Sequence, residues 1–192
     1  SPRKAGIFWT CSDDGLIHVS QDDGKTWKNV SPPASLLPEW SLVSMIEASS
    51  ENEGTCFVAA NRYKHGDMKP YLLKTIDFGK TWQRIDKGLP NTAYCRVVRQ
   101  DALYPNLLYA GTEKGIFISL DKGNTWQSLQ LNLPLTPIHD LQIHAEEKDL
   151  VIATHGRSFW ILDNLTPLYE LAADYAAIQK SDFYLYTPRP AY

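Results

Sequence analysis

Hydrolysis of a glycosidic bond by paired carboxyl groups needs two acids facing each other about 5 to 10 Å apart. The chain offers Glu47, Asp67, Asp101 and Glu113, but nothing in their spacing selects a pair. Capture of a substrate carboxylate needs clustered arginines. Arg62, Arg96, Arg99 and Arg157 are available, and no motif joins them. His65 and Asp67 stand close together, yet no third or fourth ligand follows at a spacing that would close a metal site. The sequence has no G-x-S-x-G, H-E-x-x-H, phosphate-loop or dinucleotide glycine pattern, so neither a cofactor nor a metal is expected.

What remains are residues suited to binding. The stretch Asn61-Arg-Tyr-Lys-His-Gly-Asp-Met-Lys-Pro70 reads as a long turn between strands, and loops on a rigid scaffold commonly carry specificity. It contributes Arg62, His65 and Asp67 as candidate ligand contacts, against the alternative of a solvated hairpin insertion. His139, with Asp140 and His144 nearby, falls where an apolar strand begins, and strict alternation would turn Asp140 away from Leu141. His155 and Arg157 fall in a turn between two further strands, where a hydrogen-bonded structural turn is the competing reading.

The elements that position these residues are announced by a repeat. Ser20-Gln-Asp22-Asp-Gly24-Lys-Thr26-Trp27 recurs as Thr75-Ile-Asp77-Phe-Gly79-Lys-Thr81-Trp82 and as Ser119-Leu-Asp121-Lys-Gly123-Asn-Thr125-Trp126. The aspartates lie 55 and then 44 residues apart, and Asp163, in a degenerate fourth copy, follows after 42 more. Periods of this length mark propeller blades or repeat arrays. Each full copy follows an alternating apolar run and precedes a short one, which makes it the turn of a hairpin. The residue types suit that place: Asp accepts bonds from loop amides, Gly takes a positive φ, Ser or Thr bonds locally, and Trp fills an apolar gap.

The three copies resemble the Asp-box (BNR) repeat of sialidases, sortilin-type receptors, some xyloglucan hydrolases and many secreted bacterial propellers. Leu107 to Ser119, Ala153 to Asp163 and the closing Pro188-Arg-Pro-Ala-Tyr192 look like the last blades of large secreted bacterial proteins of that kind. The resemblance implies an all-β propeller of about four four-stranded antiparallel blades, part of a larger ring, at about 1–33, 38–90, 93–133 and 137–187. It implies that the box residues are structural, on the rim away from the central channel. The first blade, with strands near 7–10, 16–20 and 27–30, lacks its innermost strand. A short helix is expected over 167–179, with Leu168, Leu171, Ala172 and Tyr175 on one face. Phe183-Tyr-Leu-Tyr186 reads as the edge of the domain and 188–192 as the start of a linker.

Composition limits the remaining classes. With 43% hydrophobic and 21% charged residues the chain is expected to fold. A formal charge of −3 and scattered Lys and Arg make nucleic acid an unsuitable partner. No run of eighteen apolar residues suggests membrane insertion, and Ser1 to Lys4 do not open an export signal, which would have been removed or lie upstream. Cys11, Cys56 and Cys95 sit in apolar runs and read as buried thiols. The function expected is a non-catalytic scaffold that binds protein or glycan, periplasmic or extracellular by resemblance, whose ring is completed by further blades or a second copy of the chain. Two other readings stay open. One is a sialidase-type or xyloglucanase-type propeller with part of its catalytic groups outside this chain; the other is an assembly or stability factor of a membrane complex.

Overall fold

The computed structural model describes residues 1–188, and of Ala176 the backbone alone. Over these described residues fourteen strands form four antiparallel sheets. The first contains β1 (Phe8–Cys11), β2 (Ile17–Ser20) and β3 (Lys28–Asn29). The second contains β4 (Leu42–Ala48), β5 (Cys56–Arg62), β6 (Asp67–Thr75) and β7 (Gln83–Arg84). The third contains β8 (Cys95–Gln100), β9 (Leu108–Thr112), β10 (Gly115–Ser119) and β11 (Gln127–Ser128). The fourth contains β12 (Ile138–His144), β13 (Asp149–Thr154) and β14 (Phe159–Leu162). In each sheet strands adjacent in sequence are adjacent in space. These are propeller blades.

The period of two along each strand explains how blades stack. In β5, Cys56, Val58 and Ala60 face the first blade's Ile17, Val19 and Val30. The intervening Phe57 and Ala59 face the third blade's Val98, Leu108 and Phe117. Both faces being covered, β5 reads as an unbroken apolar run. A third apolar layer joins β9 and β10 to Leu141, Leu150 and Ile152 of the last blade.

Each Asp box is a closed hydrogen-bonded turn. The hydroxyl of Ser20, Thr75 or Ser119 donates to the Asp two residues on, at 2.9, 2.9 and 2.7 Å, and accepts from the Gly amide at 2.9, 2.9 and 2.8 Å. The Asp accepts from both the amide and the hydroxyl of Thr26, Thr81 or Thr125. Gly24, Gly79 and Gly123 have φ of 80°, 76° and 90°, and the residues before them, Asp23, Phe78 and Lys122, are left-handed too.

The box also binds its blade to the one before. Trp82 Nε1 donates to the Val30 carbonyl at 2.7 Å and Trp126 Nε1 to the Ile85 carbonyl at 2.5 Å. A Cβ on Gly79 would stand 2.5 Å from Val30 Cβ, and one on Gly123 2.8 Å from Ile85 Cδ1. Val30 and Ile85 occupy one position, each closing its outer strand by donating to the third strand's Ile17 or Leu72. The first box has no neighbouring blade to dock on among the described residues: Trp27 is 47% exposed and its Nε1 turns back to Gly24 O.

Several expectations are corrected. The last blade has three strands rather than four among the described residues, since none forms outside β14, while the first has the expected three. Phe183–Tyr186 is not a strand; Glu170 accepts from Tyr184 Oη and the Thr187 amide, which holds this segment along the helix. The stretch over 61–70 is not a long loop. β5 runs on to Arg62 and β6 begins at Asp67, leaving one 3₁₀ turn, Tyr63–His65, closed by Gly66 at φ 74°. The helical stretch is interrupted at Asp174, giving α1 (Thr166–Ala173) and α2 (Tyr175–Lys180), where the Asp174 carboxylate caps α2 through the Ala177 amide. Leu168 and Ala172 pack on the core, but the buried residue of α1 is Tyr169, stacked on Tyr104 at 4.2 Å. Cys56 and Cys95 are buried and Cys11 half-buried, all as thiols. The expected linker falls, from residue 189 on, outside the described residues.

Candidate functional site

In a four-stranded meander the turns alternate between the two ends of the blade. The Asp boxes join third to fourth strands at one end. At the other end lie the turns between second and third strands, the starts of the innermost strands, and the crossovers between blades. Every candidate binding residue falls at this second end.

The innermost strands share a device there. β4, β8 and β12 each carry a bulge near their start, at Ser44, Arg96 and His139. A bulge re-aims the side chain of the extra residue. In β12 Asp140 faces away from the buried Leu141, as alternation requires, and the bulge turns His139 outward beside it. The residue just after the second strand lies beside the bulge: Glu113 in the third blade and His155 in the fourth. The equivalence is shown by one repeated backbone bond, Glu113 N to Tyr94 O and His155 N to Pro137 O.

In the third blade the two positions form an ion pair. Arg96 Nη2 lies 2.9 Å from Glu113 Oε2 and donates to Tyr94 Oη at 2.6 Å. The guanidinium covers the Tyr94 and Tyr63 rings at 5.0 and 5.7 Å, and those rings stack at 5.0 Å. Tyr63 comes from the turn of the second blade. Burial, with Glu113 beside it, pushes the Tyr94 phenol up to about 12. In the fourth blade the same positions hold His139 and His155, stacked at 4.7 Å. Burial and the positive charge of Arg96 lower the His139 pKa.

Three blades therefore contribute to one arc of rings and cations. His139 and His155 are brought together. Arg157 is exposed in the adjoining turn, which its own backbone holds through Thr154 Oγ1 and Trp160 Nε1. Arg62 and His65 line a cleft of about 190 Å³ with Asp13, Trp40 and Asn61. Asp67 is not part of it: its carboxylate accepts from Tyr71 Oη at 2.7 Å and from the Lys69 amide, and it fastens the start of β6.

The acids weighed for hydrolysis are each held by a different partner. Glu47 bonds Arg99, Asp101 accepts the Leu103 and Tyr104 amides, and Glu113 holds Arg96. Arg99 also reaches Asp140 and the Leu141 carbonyl, tying the innermost strands of three blades together. Tyr63, Tyr94 and Trp40 were not singled out from the sequence. Aligning the blades on their boxes would have marked the turn positions, but not which rings converge.

No family model matches the chain. Sortilin of Danio rerio is 24% identical over 132 residues, which are 68% of this chain and 15% of sortilin. The GH74 xyloglucanase from Xanthomonas campestris matches with a TM-score of 0.66 at 14% identity, over 85% of this chain and 28% of that one. YCF48 bound to D1 peptide matches at 0.61 and 16% identity, over 83% of this chain and 47% of that one. These likenesses show the fold, and the chain spans less than half the length of each of these proteins.

Proposed function

We propose that this chain, a segment of an Asp-box β-propeller, is a binding scaffold whose ligand, a protein segment or a glycan, lies across the face opposite the boxes. One observation carries the reading: equivalent positions in successive blades hold paired side chains, Arg96 with Glu113 and His139 with His155, flanked by Tyr63 and Tyr94. The exposed rings of Tyr63, His139 and His155, with Tyr94 buried beneath Arg96, suit recognition of extended ligands, since stacking and directed hydrogen bonds act together. The box face suits structural work, because its polar groups are spent on its own turns.

A ring continued by further blades, or by a second copy of the chain, agrees with the exposed Phe8 on β1 and the exposed Phe159 and Ile161 on β14, which lie on the outward faces of the terminal blades. A periplasmic or extracellular location agrees with the sortilin likeness. The test is binding of the purified protein to a mixed array of peptides and oligosaccharides. Arg96→Ala and Tyr63→Ala should remove most of the signal while far-ultraviolet circular dichroism stays unchanged. Full retention of binding by both variants would overturn the reading.

A further inference from the structure

The crossover from the first to the second blade carries Trp40, 66% exposed, at a backbone φ of 60°. A bulky residue enters that region only at a cost, and such strain concentrates at ligand sites. The turn is fastened by Ser41 Oγ donating to Pro38 O. A large apolar ring is thus held out into solvent beside the cleft that Asp13, Asn61 and Arg62 line.

Asn61 is the informative neighbour. It is 1% exposed; its amide nitrogen donates to Cys95 O at 3.4 Å, and its carbonyl oxygen has no partner among the described residues. The Cys95 carbonyl can only accept, so it fixes which end of the amide is the oxygen. A buried acceptor without a donor is costly, and the ligand that relieves it must bring a hydrogen. An anion brings none and would meet the Asp13 carboxylate. A cation would meet Arg62 and Lys64. Arg62 Nε, also buried without a partner, needs an acceptor in turn. Hydroxyls and amides both donate and accept without charge, and of these a pyranose ring joins several hydroxyls to a flat apolar face that matches an exposed indole.

We infer that Asp13, Trp40, Asn61 and Arg62 form a subsite for a neutral sugar, stacked on Trp40 and read by the other three. The cleft, at about 190 Å³, is smaller than the roughly 300–1,000 Å³ of sites for drug-sized ligands and suits a single ring. A second hollow of about 360 Å³ that Trp40 also lines, with Leu16, Pro32, Leu37 and Pro38, would take the next residue of the same glycan. The assignment deepens the scaffold reading and rests on it.

The experiment is isothermal titration of the purified protein with cellotetraose, xylotetraose and mannotetraose, with trigalacturonate and the array's peptides as contrasts. At least one neutral tetrasaccharide should bind. Trp40→Ala should weaken it by about tenfold or more, as loss of an aromatic stacking partner does, and Asp13→Asn should weaken it several-fold. Both residues are exposed, so melting temperatures should not move. Neutral binding unaffected by Trp40→Ala, or binding of trigalacturonate alone, overturns the assignment. Binding of peptides only, lost in Arg96→Ala, overturns the sugar and leaves the scaffold; no binding of either class overturns both.

Discussion

Gly24, Gly79 and Gly123 occupy one position of one motif with nearly the same φ, yet only the second and third stand on a preceding blade. Replacing each by Ala separates backbone strain from packing between blades. Every variant carries the left-handed cost of about 1–2 kcal/mol. At Gly24 little is added, since the nearest atom to the new methyl is Trp27 Cζ2 at 3.9 Å. At Gly79 the methyl falls 2.5 Å from Val30 Cβ, a branch point that cannot swing aside; overpacking of this kind costs about 1–3 kcal/mol more. At Gly123 the obstacle is the mobile end of Ile85, so its loss should fall between the two. Urea unfolding of the three variants gives the comparison. The account predicts that Gly79→Ala loses about 1–3 kcal/mol more than Gly24→Ala, and that Val30→Ala recovers part of this difference in the double variant. Equal losses at Gly24 and Gly79, or no coupling to Val30, would refute the docking of box on blade.

The tryptophans should divide the same way: Trp126→Ala empties a buried site and should cost about 3–5 kcal/mol, whereas Trp27→Ala should cost under about 1 kcal/mol, as thermal and urea unfolding would read. The Thr and Ser hydroxyls and the Thr amide hold Asp22 and Asp77 near a pKa of about 2. A carboxylate depressed in the folded state stabilises it above the unfolded pKa and ceases to as pH falls, so unfolding midpoints should drop between about pH 4 and 2, and less steeply in Asp22→Asn. Burial raises the Glu47 pKa and Arg99 opposes the rise. Arg99→Met should cost about 1.5–3 kcal/mol at neutral pH. Because a raised carboxyl binds more protons folded than unfolded, that loss should grow as pH climbs through the carboxylate range, which a pH series of melts would follow.

The boxes were legible because turn chemistry is local: each Ser or Thr, Asp, Gly and Thr finds its partners within a few residues. The paired αL residues were half legible, since Gly24, Gly79 and Gly123 declare a positive φ and Asp23, Phe78 and Lys122 do not. The stretch over 61–70 misled because Pro70 and Gly66 look like loop residues, whereas Arg62 pairs with Asp67 across a tight turn and Pro70 sits inside β6. The site was least legible. Bulges at Ser44, Arg96 and His139 break the period of two, so alternation alone does not show that His139 faces outward beside Asp140. Tyr63 meets Tyr94 across two blades, a contact no local pattern announces.

The central claim, that a ligand lies across the face opposite the boxes, is tested most directly by hydrogen–deuterium exchange with the strongest binder from the mixed array. The account predicts slowed exchange at residues 62–66, 94–96, 113–115, 139–140 and 155–158, with the box turns at 22–27, 77–82 and 121–126 unchanged. Protection confined to the box turns would contradict it.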